Sequence, residues 1–207
     1  MGRTKVHVVR TYCSSLLTLT FNRLWVAALN ERQHFTHFVM LHDDVVPLNP
    51  GWLDVLVSEQ QKSRADVLSC VVPIKDERGL TSTAILDRRS NKMRRLTMSE
   101  ACDLPDTFDA NDAGYPGCVI LPNTGCWIAD FTRPWVEKIC FTIRDKNFRG
   151  PDGQWQTQCF GEDWDFGVQC ADLGVRVCAT RAVPIVHKGS FDYPNMVGWG
   201  RLKTDDE

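Results

Sequence analysis

The sequence predicts an α/β domain with a mostly parallel central sheet flanked by helices, and a smaller mixed β portion in its second half. Three observations predict it. Strand-like and helix-like segments alternate over residues 5–74, residues 67–74 (VLSCVVPI) are nearly all apolar, and the run around Phe38 ends abruptly in Asp43-Asp44. Alternation of this kind is the pattern of βαβ units. An unbroken apolar run suits a strand covered on both faces. Acidic residues at the C-terminal end of a strand stand where open α/β sheets build ligand sites.

The elements follow in order. Residues 5–10 (KVHVVR) form a short β-branched run and read as a strand. Residues 14–30 carry Leu17, Phe21, Leu24, Trp25 and Ala28 at helical spacing, after serines able to cap. Residues 38–41 are the strand that delivers the acids. Asn49-Pro50 then opens a helix over 51–62, where Pro is tolerated in the first turn. After the 67–74 strand, residues 80–86 and 93–98 suggest a hairpin around an Arg-rich turn. Residues 103–117 (DLPDTFDANDAGYPG) read as a loop of the length usually tied to function. Strands are expected at 118–122 and 126–131, separated by Asn123-Thr124-Gly125, and a short helix at 135–140. Residues 144–155 (RDKNFRGPDGQW) read as a polar loop. A helix over 162–173 closes at Gly174, where a C-terminal glycine belongs. Strands at 175–179 and 182–187 complete the chain.

At 207 residues the chain suits one domain, with a nucleotide- and metal-facing half at about 1–100 and an acceptor-facing half at about 101–207. A net charge of −2 gives no electrostatic footprint for nucleic acid. The one basic cluster, Arg88-Arg89 with Lys92, Arg94 and Arg95, reads first as a solvated hairpin and second as help for a substrate's phosphates. Nine cysteines make an odd count without C-x-x-C spacing. Cys13, Cys70, Cys118, Cys126, Cys140, Cys170 and Cys178 sit among apolar neighbours, as buried free thiols do. No apolar run approaches the roughly 20 residues that span a bilayer. The expectation is a cytoplasmic protein without a transmembrane segment.

Three places combine chemistry with position: Asp43-Asp44, Glu162-Asp163 and His187. Each alone has a plain structural reading. Acids at a helix start satisfy the cap and the dipole, and a histidine ending a strand is usually structural. Their order along the chain is what carries weight. With His42-Asp43-Asp44, the Asn123-Thr124-Gly125 turn, Gly161-Glu162-Asp163-Trp164-Asp165-Phe166 and Val186-His187-Lys188-Gly189, the chain resembles the nucleotide-sugar glycosyltransferases of the GT-A fold, nearest the family-two-like group. The resemblance runs from about Lys5 to Asn195.

It implies metal-dependent transfer of a sugar, from a nucleotide-sugar donor (a UDP-sugar first) to a glycan or other hydroxyl acceptor. Asp44 and His187 would hold Mn²⁺ or Mg²⁺, with His42, Asp43, Thr11 and Tyr12 on the nucleotide side. Asp163, or Glu162, would take the acceptor's proton. Asn123, Thr124, Gly125 and Trp164 would line the donor sugar and acceptor. A Lewis acid neutralises a leaving diphosphate, and a positioned carboxylate removes a hydroxyl proton.

Departures stand beside the likeness. His42 replaces the family's first acid, Gln169 replaces a basic residue, and almost nothing lies between Asn30 and Phe38 where a strand–helix unit is usual. A non-catalytic nucleotide- or glycan-binding module is the alternative. A nucleotidyltransferase is disfavoured, because no Gly-rich phosphate loop follows Arg10.

Overall fold

The computed structural model describes residues 5–8, 16–90, 92–150 and 152–202. Residues 5–8 are exposed and outside regular structure, so the described part of the expected first strand is not one. Helix α1 (Leu17–Asn30) follows, burying Phe21 and Trp25 one turn apart. Ser14 and Ser15, expected to cap it, lie outside the described residues, and Leu16 makes no side-chain cap bond. Strand β1 (His37–Leu41) is succeeded after three residues by β2 (Val45–Pro47), a strand absent from the sequence reading. Helix α2 (Trp52–Ser63) starts where the Asn49 side chain accepts the Gly51 N–H at 2.8 Å. Strand β3 (Val67–Cys70) is shorter than the apolar run that announced it.

Strands β4 (Leu80–Asp87) and β5 (Lys92–Thr97) form the expected hairpin. A helix absent from the sequence reading comes next, α3 (Met98–Asp103), fixed by a reciprocal capping box between Thr97 and Glu100. Then come β6 (Thr107–Phe108), β7 (Val119–Leu121), β8 (Cys126–Asp130) and a 3₁₀ turn at Pro134–Lys138 in place of the expected helix. Residues read as a polar loop form a ribbon, β9 (Arg144–Arg149) with β10 (Trp155–Phe160). Helix α4 (Glu162–Asp172) ends before Gly174, whose φ of +68° is the left-handed turn anticipated there. Strands β11 (Val177–Thr180), β12 (Ile185–Lys188) and β13 (Asp192–Pro194) finish the described chain.

The mostly parallel sheet expected from the sequence is not what forms. The largest sheet has the order β1-β8-β3-β11-β6, and only β3–β11 pairs parallel. The three smaller sheets, β13-β12-β2, β5-β4-β7 and β10-β9, are antiparallel throughout. The fold is therefore mixed α/β with four small, mostly antiparallel sheets. The reason for the misreading is physical: an apolar run reports that both faces are covered, and coverage does not depend on strand direction.

Both faces of the main sheet are indeed packed. Val67, Trp127 and Ala129 face a cluster with Phe21, Trp25, Phe131, Phe141 and Phe166; their neighbours Leu68 and Ile128 face another with Leu56, Val183 and Ile185. The first cluster is an aromatic nest in which Trp25 meets Phe38, Phe131 and Phe141 edge-on, at 4.8, 4.9 and 5.7 Å between ring centres. Its indole N–H donates to the Val136 carbonyl at 2.9 Å. Of the cysteines read as buried, Cys70, Cys126, Cys170 and Cys178 are, Cys118 is half-buried and Cys140 is exposed. Cys13 lies outside the described residues. Among the described residues no helix is long and apolar enough to cross a membrane.

Candidate functional site

Strand direction decides where the chemistry collects. Strands β1 and β3 both run antiparallel to β8, and β11 runs parallel to β3, so all three end at one edge of the sheet. His42 to Asp44 leave β1 at that edge, Lys75 follows the β3 run there, and the chain returns through β12 with His187. Pairing of β12 with β2 sets His187 opposite Val45, and the Lys188 N–H donates to the Asp44 carbonyl at 2.7 Å. Backbone ladders, not flexible side chains, thus bring residues 44 and 187 together.

The side chains then meet on one oxygen. His187 Nε2 lies 3.4 Å from Asp44 Oδ2, while His187 Nδ1 is bonded to the Pro73 carbonyl at 2.7 Å. That carbonyl fixes the hydrogen on Nδ1 and turns Nε2 toward the carboxylate. Lys75 Nζ donates to the same Oδ2 at 2.5 Å. Burial opposes ionisation of Asp44, but the Lys75 hydrogen bond and the charges of His187 and Lys75 prevail, and its pKa lies below the ordinary value.

His42 stands beside this group, its ring 5.4 Å from Phe21, while its backbone N–H donates to the Gly125 carbonyl at 2.8 Å. Burial lowers its pKa against the opposing charges of Asp44, Glu162 and Asp43. One imidazole therefore feels the strand-end acids and the start of α4 together. Its Nε2 is buried without a hydrogen-bond partner, which in a folded protein calls for an explanation. Asp43 is exposed.

Asn123-Thr124-Gly125 lies at the same edge, but its polar atoms serve the turn itself. Asn123 Oδ1 accepts the Gly125 N–H at 2.6 Å, and Ser69 Oγ donates to the Asn123 carbonyl at 2.6 Å. Thr124 is buried. Trp164 is half-buried, donates from its indole to the Ser82 carbonyl at 3.1 Å, and carries the Arg95 guanidinium 4.3 Å above its ring. Asp163, at the start of α4, is lifted to about 6: burial contributes most and the adjacent Glu162 charge next, while the Trp164 N–H and Arg95 pull weakly the other way. Thr11 and Tyr12, expected near the nucleotide, lie outside the described residues.

Lys75 and Arg95 were missed by sequence reasoning. For Lys75 a signal existed: it follows an apolar run just as Asp44 does. Arg95 had been counted only within the basic cluster, where Arg88 pairs with Asp172 and Arg94 with Glu100.

The expected Mn²⁺ or Mg²⁺ can be tested against these donors. A protein-held divalent ion needs several oxygen or nitrogen ligands around it. Among the described residues, no group of three or more His, Cys, Asp or Glu side chains could hold one. The oxygen that His187 approaches already accepts from an ammonium. A divalent cation and that ammonium would repel one another at such a distance. While Lys75 holds that oxygen, Asp44 and His187 do not fit the ion as they stand.

No protein-family model matches the chain, and no curated protein does. Among solved structures it is similar to the crystal structure of A197 from STIV, with a TM-score of 0.51 and 13% identity, over 92% of this chain and 81% of that one. At that identity the likeness shows a shared fold alone.

Proposed function

We propose that the chain transfers a sugar from a nucleotide-diphosphate donor, a UDP-sugar first, to a hydroxyl of a glycan or similar acceptor. The observation that carries this reading is a strand-end cluster (Asp44, His187, Lys75) whose neighbour His42 also feels the charge of Glu162, the residue before a half-buried carboxylate lifted to about 6. Perturbed groups of this kind gather where proton transfer is needed. Asp163, ionised above about pH 6, accepts the proton of the attacking hydroxyl. The hydroxyl oxygen bonds to the anomeric carbon, the bond from that carbon to the diphosphate breaks, and the nucleoside diphosphate leaves with the electron pair. His42 and the cations beside Asp44 face the side where that negative charge grows. Trp164 packs Arg95 over α4 and positions Asp163. The eight free cysteines among the described residues support a reducing, cytoplasmic setting.

A second reading, a non-catalytic glycan-binding module, is favoured by one feature. An open groove of about 630 Å³ is lined by Phe191, Tyr193 and Trp199 with Asp76, Glu77 and Asp192. Aromatic faces with carboxylates at their rim suit sugar rings and hydroxyls.

The test is a panel of UDP-, GDP- and dTDP-sugars with simple glycoside acceptors, read as nucleoside diphosphate released and glycoside formed by mass spectrometry. Transfer that disappears in Asp163→Asn supports the enzyme. Glycan binding without turnover of any donor favours the module. Failure of every nucleotide-sugar to bind or react ends the transferase reading.

A further inference from the structure

We propose that Lys75, and not a divalent metal, is the cation that receives the donor's diphosphate. The inference rests on the sugar-transfer reading of this site and says which group does the electrostatic work there. Lys75 follows β3 at the edge where β1 and β11 also end. Its ammonium carries three N–H donors, and Asp44 Oδ2 takes one at 2.5 Å. Asp44 therefore acts as the residue that positions Lys75. The side chain is 35% exposed, within reach of a ligand arriving from solvent.

The stem of Lys75 passes close against Gly189. A Cβ added at Gly189 would stand 2.8 Å from Lys75 Cδ and 3.3 Å from its Cβ, with Tyr193 Cε2 at 3.2 Å on the other side. Any side chain at 189 would displace the lysine. The glycine of the Val-His-x-Gly segment thus has a local reason: it leaves room for the ammonium to reach Asp44. His187, anchored on Pro73, closes the same carboxylate from another direction. His42 adds a buried Nε2 without a protein partner, two residues before Asp44.

In the transfer step, the electron pair of the breaking bond settles on a diphosphate oxygen. Lys75 stays protonated and donates hydrogen bonds to it, while the acceptor's proton goes to Asp163. Nothing is oxidised and no further reactant enters. An ammonium brings one positive charge where Mn²⁺ would bring two, so nucleotide affinity here should not depend on chelators.

The experiment is calorimetric titration of UDP, with GDP as a second base, into the intact protein in Mn²⁺ and in EDTA. Equal affinity in both buffers is expected. Lys75→Met should weaken binding by about tenfold or more, the scale of one charge-assisted hydrogen bond. It should also make the remaining binding depend on Mn²⁺, because Asp44 and His187 are then released as ligands. A purely structural lysine would produce no such acquired dependence. Lys75→Arg should retain EDTA-resistant binding in part. If Lys75→Met does not fold, Gly189→Ala carries the test, since it moves the stem and keeps the charge: it should weaken binding in EDTA. Wild-type binding seen only with Mn²⁺ overturns the role of Lys75 and leaves the transferase reading intact. Absence of binding in both buffers overturns both.

Discussion

The foot of the β9–β10 ribbon and the acidic corner beside His42 are served by the same helical turn, yet they treat a carboxylate in opposite ways. Asp165 is 1% exposed and fully engaged: it accepts from Thr142 Oγ1 at 2.5 Å, from Arg144 Nε at 2.7 Å and from Gln169 Nε2 at 2.9 Å. Asp163, two residues earlier, has the Trp164 N–H at 2.7 Å and a like charge beside it, and is driven up to about 6. Burial alone does not decide a carboxylate's fate; the donors around it do. The fully engaged acid holds architecture, and the one with fewer donors retains a proton affinity useful near neutral pH.

That contrast can be tested from both sides. The largest effect expected is on turnover: Asp163→Asn should lower the transfer rate about 10²–10⁴-fold, measured as product formed, with the nucleotide Kd unchanged. Transfer that survives the change would remove Asp163 as the base. Asp165→Ala should instead cost about 3 kcal/mol of stability by removing the buried acceptor that Thr142, Arg144 and Gln169 share. A thermal melt would show this as a fall of about 6–12 °C.

A smaller effect concerns pH. Because the folded-state pKa of Asp163 is raised above its unfolded value, the native state binds the extra proton between about pH 4 and 6. Stability from this group therefore falls as pH rises through that window. Asp163→Asn should flatten the slope and leave the protein about 1–2 kcal/mol more stable at neutral pH, allowing for partial exposure; urea unfolding at several pH values would read it. The smallest expected change is in Glu162→Gln, which removes the neighbouring negative charge. The acidic limb of the activity profile should then move to lower pH, and an unmoved limb would separate Asp163 from that limb.

Much of this corner was legible in the chain before any coordinates. Asp44 and His187 each end an apolar segment, and the β2–β12 pairing brings the imidazole to the Asp44 carboxylate. Helices α1, α2 and α4 and the β4–β5 hairpin follow from periodicity, because each has one face against the core. What escaped has a common cause in long-range pairing. Residues 126–130 look the same whether they run with β1 or against it, so the antiparallel β8 between β1 and β3 could not be read from burial pattern. The β9–β10 segment is polar because it is exposed on both sides, which removes the alternation that marks a strand. Only its turn, Asp152-Gly153, with Gly153 at φ +78°, was a hairpin signal. Lys75 escaped because a lysine after a strand is ordinarily a solvated charge, and only the fold brings Asp44 and Gly189 to it.

The ribbon has a consequence for how the molecule breathes. Among the described residues its two strands pair only with each other, Trp155 is 70% exposed, and Phe160 and the Arg144–Asp165 pair clamp the foot. An isolated strand pair is barely self-supporting in water. Its backbone amides should take up deuterium far sooner than those of β3 and β8, with the slowest ribbon amides next to Phe160, where the clamp sits.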